Sequence, residues 1–273
     1  MHNSFAVFGP GMCLLIFAHH IDPRYPLVLA ANRDEFHARP TATAAFWPEY
    51  PGLLAGRDLA QGGTWMGLTR AGRFAAITNY RDPARSAPAP RSRGELPLDY
   101  LRRNREPESF LLDLLPRAQE YAGFNLLLGT PGNLWYLTNS LASSSPQRLA
   151  PGLYGLSNAR LDTPWPKVML GKERLRALLS QGELSHAALA GVVGDRQLAD
   201  ADALRQQGLN QGMDPILSAQ FITTGSYGTR STTTLWVDRE GFACWRESSF
   251  DARGSAVGQR EEAFRLEGSR TGL

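Results

Sequence analysis

Residues 27–36 read LVLAANRDEF, an apolar run that ends abruptly in amide and charged side chains. The apolar part, Leu27–Ala31, is typical of a buried strand, and Cys13–Ala18 (CLLIFA) is a second apolar run that we expect to pair with it. A polar turn is the common way for a strand to end. The alternative is a functional site, because charges of both signs gather at one strand end, where such sites are often built.

Outward from these two strands, the chain contains both hairpins and helical segments. Hairpins are predicted where apolar runs flank turns at Ala71-Gly72, at Pro131-Gly132 and near Gly241. Helical periodicity marks residues 108–123, with a kink expected at Pro116, and residues 164–180 and 185–193. Strands occupy both ends of the chain, and several are apolar on both faces. The pattern favours an α+β layered sandwich, two packed sheets covered by helices, as a single domain over residues 12–273.

Composition argues against several classes of function. The 273 residues carry a formal charge of +3, and no apolar stretch approaches the roughly 20 residues that span a bilayer. Cys13 and Cys244 make no disulfide framework, so we expect a soluble, cytoplasmic protein without a membrane span. No GxGxxG or P-loop pattern indicates nucleotide chemistry. The aspartates between positions 195 and 202 lack His or Cys partners, so no metal site is expected.

Arginines cluster between Arg70 and Arg105, around RDPARSAPAPRSRG at residues 81–94. A nucleic-acid footprint would come with interleaved aromatics or a recognisable binding module, and neither accompanies this charge. We therefore expect a solvated loop and no nucleic-acid partner. An anion-facing rim for a phosphate or carboxylate ligand is the narrower alternative.

Met12 and Cys13 raise the question of where the functional chain begins. If translation starts at Met12, the methionine is normally removed before a small residue, and Cys13 becomes the first residue. Cys13 then carries a thiol nucleophile together with an α-amino group, whose reference pKa of about 7.7–8.0 suits a base near neutral pH. This is the N-terminal nucleophile arrangement. Arg33 would favour the thiolate, and Asp34 would hold either the α-amino group or the arginine.

Three further polar residues complete the predicted catalytic set. Asn79 and Asn158 could donate side-chain N–H groups to a developing oxyanion; the alternative is that both are turn residues. Arg230, in YGTRSTT, would fix a substrate carboxylate or contact the thiolate; the alternative is an ordinary ion pair.

These stretches resemble one protein family. ANRDE at residues 31–35 matches the signature of the NRDE family, which includes the transport and Golgi organization proteins. The similarity extends, in the family's order, to MCLLIF (12–17), residues 62–83, GLSNARLDTPWPKV (155–168) and YGTRSTT (227–233). It covers nearly the whole chain from Met12. The resemblance implies an N-terminal-nucleophile-hydrolase-like fold, which is a four-layer αββα sandwich.

The chain also resembles, more distantly, the cholylglycine hydrolase and penicillin V acylase group, in which an arginine, an aspartate and asparagines serve an N-terminal cysteine. This resemblance implies those roles for Cys13, Arg33, Asp34, Asn79, Asn158 and Arg230. Because adjacent strand residues face opposite ways, Arg33 and Asp34 can both reach Cys13 only if the backbone turns there. Members of the NRDE family usually begin MC, so we expect residues 1–11 to be an upstream start or a leader.

The resemblance leaves two functions open. The first is a cysteine hydrolase that cleaves a C–N amide bond, or transfers an acyl group, through Cys13 and without a cofactor. The second is a non-catalytic protein that binds haem, acyl-CoA or lipid, because the NRDE family is linked to haem trafficking and lipid homeostasis. Such a small-molecule ligand would need an apolar pocket. The aromatic candidates, which core packing explains more simply, are Trp47, Trp65, Phe74, Tyr80 and Trp165.

Overall fold

Two antiparallel sheets lie face to face in the computed structural model, which describes residues 13–81, 89–141, 144–182, 184–209, 212 and 214–267. The predicted extension over residues 1–11 lies outside these residues. Sheet A has the strand order β10-β1-β2-β11-β12-β13, and sheet B runs from β3 to β9 in sequence order. The strands are β1 (Cys13–Asp22), β2 (Tyr25–Phe36), β3 (Thr41–Trp47), β4 (Tyr50–Asp58), β5 (Met66–Thr69), β6 (Phe74–Asn79), β7 (Phe124–Thr130), β8 (Asn133–Thr138), β9 (Gln147–Arg148), β10 (Gly152–Leu156), β11 (Tyr227–Val237), β12 (Phe242–Phe250) and β13 (Ala256–Arg265).

Along the sequence, the helices lie between β6 and β11, and therefore mostly in the middle of the chain, as predicted. They are α1 (Glu95–Arg102), α2 (Pro107–Leu114), α3 (Pro166–Gln181), α4 (His186–Val192), α5 (Ala201–Gln206) and α6 (Asp214–Leu217). The helix predicted to continue past Pro116 with a kink instead ends at Leu114, and a 3-10 helix follows over Leu115–Glu120. Proline lacks the N–H that an α-helix needs at that position, and the tighter turn accommodates it.

Three apolar clusters separate the layers. One fills the space between the sheets and includes Leu15, Leu29 and Phe74. A second packs the outer face of sheet B against α1 and α2, and a third packs the outer face of sheet A against α3 and α4. The layer order is therefore α1/α2, sheet B, sheet A, α3/α4. This confirms the expected α+β fold, a four-layer αββα sandwich.

The polar end of LVLAANRDEF stays within the sheet. The strand predicted over Leu27–Ala31 extends to Phe36, so the expectation that it ends before the polar residues is wrong. β2 is a central strand, and β1 and β11 satisfy its backbone groups on both sides. Polar residues can continue a strand when both neighbours are in place.

Alternation along β1 and β2 decides which side of sheet A each polar residue occupies. Leu15 and Leu29 belong to the inter-sheet cluster, whereas Leu14 and Val28 belong to the cluster under α3 and α4. Cys13 follows the first set and packs against the inter-sheet core.

Among the residues that the structure describes, no helix combines the length and the apolar character needed to cross a membrane.

Candidate active site

Cys13 begins β1 and lies half-buried at the border of the inter-sheet core. Its register partner on β2 is Arg33, and the backbone N–H of the next residue, Asp34, acts on its sulfur. Burial raises the pKa of the Cys13 thiol to about 12, and the charge of Asp34 adds to this, while Arg33 and the Asp34 N–H oppose it. With a peptide bond before Cys13, the sulfur is therefore a protonated thiol near neutral pH.

Arg33 places a cation on the inter-sheet side of this cysteine. Its buried guanidinium lies over the Trp65 ring, with Cζ 4.4 Å from the ring centroid, and Nη2 is 3.8 Å from the carboxylate of Glu35. The indole can occupy this place because Gly56 on β4 has no side chain: a Cβ there would lie 2.1 Å from the Trp65 ring. A cation held beside Cys13 favours the thiolate over the thiol.

Asp34 lies on the other, helix-facing side of sheet A. Its side chain is only 1% exposed; Oδ1 accepts a 2.6 Å hydrogen bond from the Thr229 hydroxyl, and Oδ2 has no hydrogen-bond partner among the described residues. Burial raises the pKa of Asp34 to about 7, against the opposing charge of Lys167. β2 does not turn here. Arg33 approaches Cys13 through its side chain, and Asp34 through its N–H and the charge of its carboxylate.

The two asparagines of the predicted set lie together and connect to Cys13. The Asn158 side-chain Nδ2 donates a 2.8 Å hydrogen bond to the Asn79 carbonyl. The hydroxyl of Ser157 lies 3.0 Å from the carbonyl oxygen of Cys13 and 3.1 Å from Oδ1 of Asn158. Asn158 is buried, and its amide therefore has a fixed position close to the backbone of the cysteine.

Arg230 contacts the backbone at the end of β2. It occupies a β-bulge of β11, between Thr229, which pairs with Asp34, and Ser231, which pairs with Arg33. Nη1 of Arg230 donates to carbonyls at the end of β2 and just beyond it, those of Phe36 (2.9 Å), His37 (3.3 Å) and Arg39 (3.1 Å). Arg230 thus stabilises the position of the backbone that follows Arg33 and Asp34.

Sequence reasoning missed Lys167, which lies buried near both Asp34 and Cys13. It is the second residue of α3, and its Nζ donates a 2.9 Å hydrogen bond to the Leu217 carbonyl. Burial lowers the pKa of Lys167 to about 8, while the charges of Asp34 and Cys13 oppose that shift. One signal was available: Lys167 and Lys172 are the only lysines among 29 basic residues.

Arg93 was also missed, although it belongs to the arginine cluster that the sequence singled out. Its charge interacts with that of Cys13, and Nη1 donates a 2.9 Å hydrogen bond to the carbonyl of Gly123, the residue before β7. Burial lowers the pKa of Arg93 to about 10, and the neighbouring charges of Cys13 and Glu35 oppose the shift. This part of the cluster is therefore partly buried and its charge acts on the site; residues 82–88 lie outside the described chain.

The aromatic candidates for an apolar pocket divide into two groups. Trp47 and Phe74 are buried in the cores on either side of sheet B, and Trp165 is buried under α3. Trp65 and Tyr80 are partly exposed. Within the described ranges, no three His, Cys, Asp or Glu side chains come together in a way that could hold a metal ion.

The sequence is similar to a known protein family and to several of its members. The family model for Transport and Golgi organisation 2 matches residues 12–252. The Transport and Golgi organization protein 2 homolog of Bos taurus is 37% identical over 261 residues, which is 87% of this chain and 93% of the relative. The homolog of Homo sapiens is 36% identical over 262 residues, with the same coverage of 87% and 93%.

Solved structures of similar shape were also found. One is a Caenorhabditis elegans orthologue of N-acylethanolamine-hydrolyzing acid amidase, with a TM-score of 0.38 and 9% identity over 66% of this chain and 85% of that one. Another is a variant of conjugated bile acid hydrolase from Clostridium perfringens, with a TM-score of 0.36 and 8% identity over 95% of this chain and 91% of that one.

Proposed function

The chain belongs to the Transport and Golgi organisation 2 family, and we propose that it is an N-terminal cysteine hydrolase that cleaves a C–N amide bond, or transfers the acyl group, through Cys13. One observation carries the proposal. Cys13 is held between the guanidinium of Arg33 on one side of sheet A and the buried carboxylate of Asp34 on the other, and Oδ2 of Asp34 has no partner among the described residues.

A free α-amino group on Cys13 completes this site. While residue 12 is attached, burial and Asp34 keep the sulfur protonated, with a pKa of about 12. Removal of the preceding residues supplies an amine on the same residue, and its ammonium form lowers the pKa of the thiol. Oδ2 of Asp34 is the acceptor that we propose for this group, because a buried carboxylate oxygen without a partner is costly.

The proposed reaction has two halves. The neutral α-amine accepts the thiol proton, the sulfur attacks the amide carbonyl, and the Asn158 amide donates to the resulting oxyanion. The C–N bond breaks as the α-ammonium returns its proton to the leaving amine, which leaves a thioester on Cys13. Water, deprotonated by the same amine, then cleaves the thioester and releases the acid. In acyl transfer, a second nucleophile replaces the water.

The test uses a chain that begins at Met12, with removal of the methionine confirmed by intact mass and N-terminal sequencing. This protein is incubated with an electrophilic acyl probe and with a panel of N-acyl amides of graded chain length. We expect an acyl adduct on Cys13 and release of amine from at least one amide. Cys13→Ala should give neither, and Cys244→Ser should behave as the unchanged chain.

Absence of both adduct and amine release, in protein whose first residue is shown to be Cys13, would refute the hydrolase proposal. A Cys13→Ser variant adds a second check, because a hydroxyl can accept the acyl group but is a weaker nucleophile. Its acylation should be slower than that of the cysteine protein.

The second candidate function is binding and trafficking of haem, acyl-CoA or lipid on the same fold. It is favoured by one observation: the buried cation of Arg33 and the partly buried cation of Arg93 both act on the charge of Cys13, and cations at such a site would meet propionates or phosphates. Cys13 itself fits poorly as an iron ligand in the uncut chain, because burial and Asp34 raise the pKa of its thiol to about 12. A haem spectrum that is unchanged in Cys13→Ala would indicate binding without sulfur ligation, and no binding of haem or acyl-CoA would remove this candidate.

Both candidates take a small-molecule partner. The cytoplasmic location stays a prediction, and fractionation of cells that express the full chain would test it.

A further inference from the structure

The arginine-rich stretch around α1 lines a cleft that the proposed reaction does not use. The cleft lies between α1, α2 and the 3-10 helix, which pack on the face of sheet B that points away from sheet A. Its volume is about 390 Å³, within the roughly 300–1,000 Å³ that is usual for small-molecule sites. Five arginines line it: Arg91, Arg102, Arg103, Arg105 and Arg117.

Carboxylates balance the arginines at two places in this cleft. The acidic residues of its wall are Glu95, Asp99 and Asp113. Arg105 pairs with Asp113 at 2.6 Å, and Arg91 pairs with Glu95 at 2.5 Å and with Glu120 at 3.2 Å. These arginines therefore have their own counter-ions, and any excess of positive charge must lie around Asp99.

Asp99 is surrounded by three guanidiniums. Its Oδ1 accepts hydrogen bonds from Arg102 (2.8 Å) and Arg103 (2.7 Å), and its Oδ2 lies 4.0 Å from Nη2 of Arg117. One carboxylate offsets one of these charges, so two positive charges are left over. The side chains of Arg103 and Arg117 are 53% and 34% exposed. An anion from solvent can therefore contact them.

The arginines are spread along the cleft and not gathered at one point. Arg91 precedes α1, whereas Arg102, Arg103 and Arg105 lie at its end or just beyond it. The helix has eight residues and is therefore roughly 12 Å long. A single phosphate or carboxylate group is too short to contact both ends, but a chain of linked anionic groups is not.

We propose that this cleft binds a small anion that carries several linked phosphate groups, either an inorganic polyphosphate or the triphosphate of a nucleotide. Guanidiniums suit this ligand because their paired N–H donors match phosphate oxygens. Phe110 and Tyr121, which also line the cleft, are buried in the core under α1 and α2, so we expect the phosphates and not a base to be recognised.

The first experiment measures the binding of phosphate, pyrophosphate and tripolyphosphate to the full chain by calorimetry, at low salt and without divalent cations. We expect the affinity to rise with each added phosphate. Arg103→Gln combined with Arg117→Gln keeps the pair of Asp99 with Arg102 and should weaken tripolyphosphate binding at least about tenfold. The control is Arg246→Gln combined with Arg260→Gln, which removes two ion-paired arginines from sheet A with the same change of net charge and should bind as the unchanged chain does.

The second experiment uses Asp99→Asn, which keeps the shape of the side chain but removes its negative charge. Tripolyphosphate should then bind at least about threefold more tightly, because a carboxylate a few ångströms away no longer repels it. A folding defect cannot imitate this result, since the variant gains affinity. If the arginines only support α1, the substitution gains nothing.

ATP is titrated in parallel to identify the source of the phosphates. Equal affinities for ATP and tripolyphosphate would show that the phosphate chain alone is bound. Tighter binding of ATP that is lost in the Arg103 and Arg117 double variant would identify a nucleotide.

Three results would overturn the inference: no gain in affinity from phosphate to tripolyphosphate, unchanged binding in the Arg103 and Arg117 double variant, or an equal loss in the sheet A control. The last would show attraction by net charge and not by this cleft. These measurements do not involve Cys13, so they stand apart from the hydrolase proposal, which the acyl probe tests.

Discussion

Asp34 stands beside Cys13 across the β1–β2 pair, with its backbone N–H favouring ionisation of the Cys13 sulfur and its carboxylate opposing it. One residue thus favours the thiolate through its backbone and disfavours it through its side chain. The side-chain effect and burial dominate, because the pKa of the thiol is raised to about 12. With a peptide bond before Cys13, the thiol is therefore protonated near neutral pH, and four predictions concern this site and the sheet that carries it.

The first prediction is that the residue before Cys13 controls its reactivity. A chain that starts with Cys13 should react with iodoacetamide near neutral pH at least about tenfold faster than the chain that starts with Met1, because an adjacent ammonium lowers the pKa of the thiol by one unit or more. Intact mass against time measures the rate, and a Cys244→Ser background assigns the adduct to Cys13. Equal rates in the two chains would contradict the proposed need for a free amine.

The second prediction concerns the cation opposite Cys13. In the chain that starts with Cys13, Arg33→Met should slow alkylation of the thiol by about tenfold, because loss of a neighbouring cation raises the pKa of the thiol by about one unit. Arg33→Lys should be intermediate, since the ammonium keeps the charge but loses the flat contact with Trp65.

Arg57 offers a matched control for this series. It lies over the Trp47 ring at the same 4.4 Å, but on sheet B, and it pairs with Glu49 on the surface. Arg57→Met removes an equivalent arginine–indole contact and should leave the alkylation rate unchanged. Equal slowing by the two substitutions would show that the effect is general loss of packing and not charge at Cys13.

Much of the fold was predictable because its signals are local. Alternation, apolar runs and glycine turns give the hairpins β5–β6, β7–β8 and β11–β12, and the pairing of β1 with β2 follows from two neighbouring apolar runs. The continuation of β2 through the polar residues 32–35 was not predictable in this way. It depends on β11, which comes about 200 residues later and satisfies the other edge of the strand.

The same limit applies to the candidate site. The sequence brought Cys13 and Arg33 together, because they belong to two apolar runs that were expected to pair, and they are register partners on β1 and β2. It could not place Lys167, because the periodicity of a helix shows which face is buried but not which strand residue that face covers. Nor could it show that Arg230 occupies a bulge, since a bulge is defined by pairing with a strand distant in sequence.

The third prediction concerns the oxyanion donor. Asn158→Ala should reduce the rate of acylation by the electrophilic probe by roughly 10²–10³, the usual effect of removing one such donor, while alkylation by iodoacetamide, which forms no oxyanion, should change little. Asn133→Ala is the control, because Asn133 accepts side-chain hydrogen bonds from Trp135 and Arg148 in a hairpin away from Cys13. If both reagents slow equally in Asn158→Ala, the residue supports the position of Cys13 through Ser157 and is not an oxyanion donor.

The fourth prediction concerns stability at acid pH and uses His186, which lies under sheet A away from Cys13. Its Nδ1 is 2.7 Å from the Thr234 hydroxyl, its ring is 4.4 Å from that of Trp236, and burial and Arg246 lower its pKa from 6.5 to about 4 against the opposing charge of Glu261. The unfolded chain therefore binds a proton between pH 6.5 and 4 that the folded chain does not, so this residue costs stability as the pH falls.

His186→Gln removes the titrating ring and keeps a polar side chain for Thr234. The raised pKa values of Asp34 and Glu247 act with the opposite sign, because their folded carboxyls take up protons first, so only the difference between the variant and the unchanged chain isolates His186. Between about pH 7 and pH 4.5 that difference in unfolding free energy should move in favour of the variant, by no more than about 3 kcal/mol. Urea unfolding at several pH values measures it. A difference between His186→Gln and the unchanged chain that does not vary with pH would show that His186 is not held neutral by the fold.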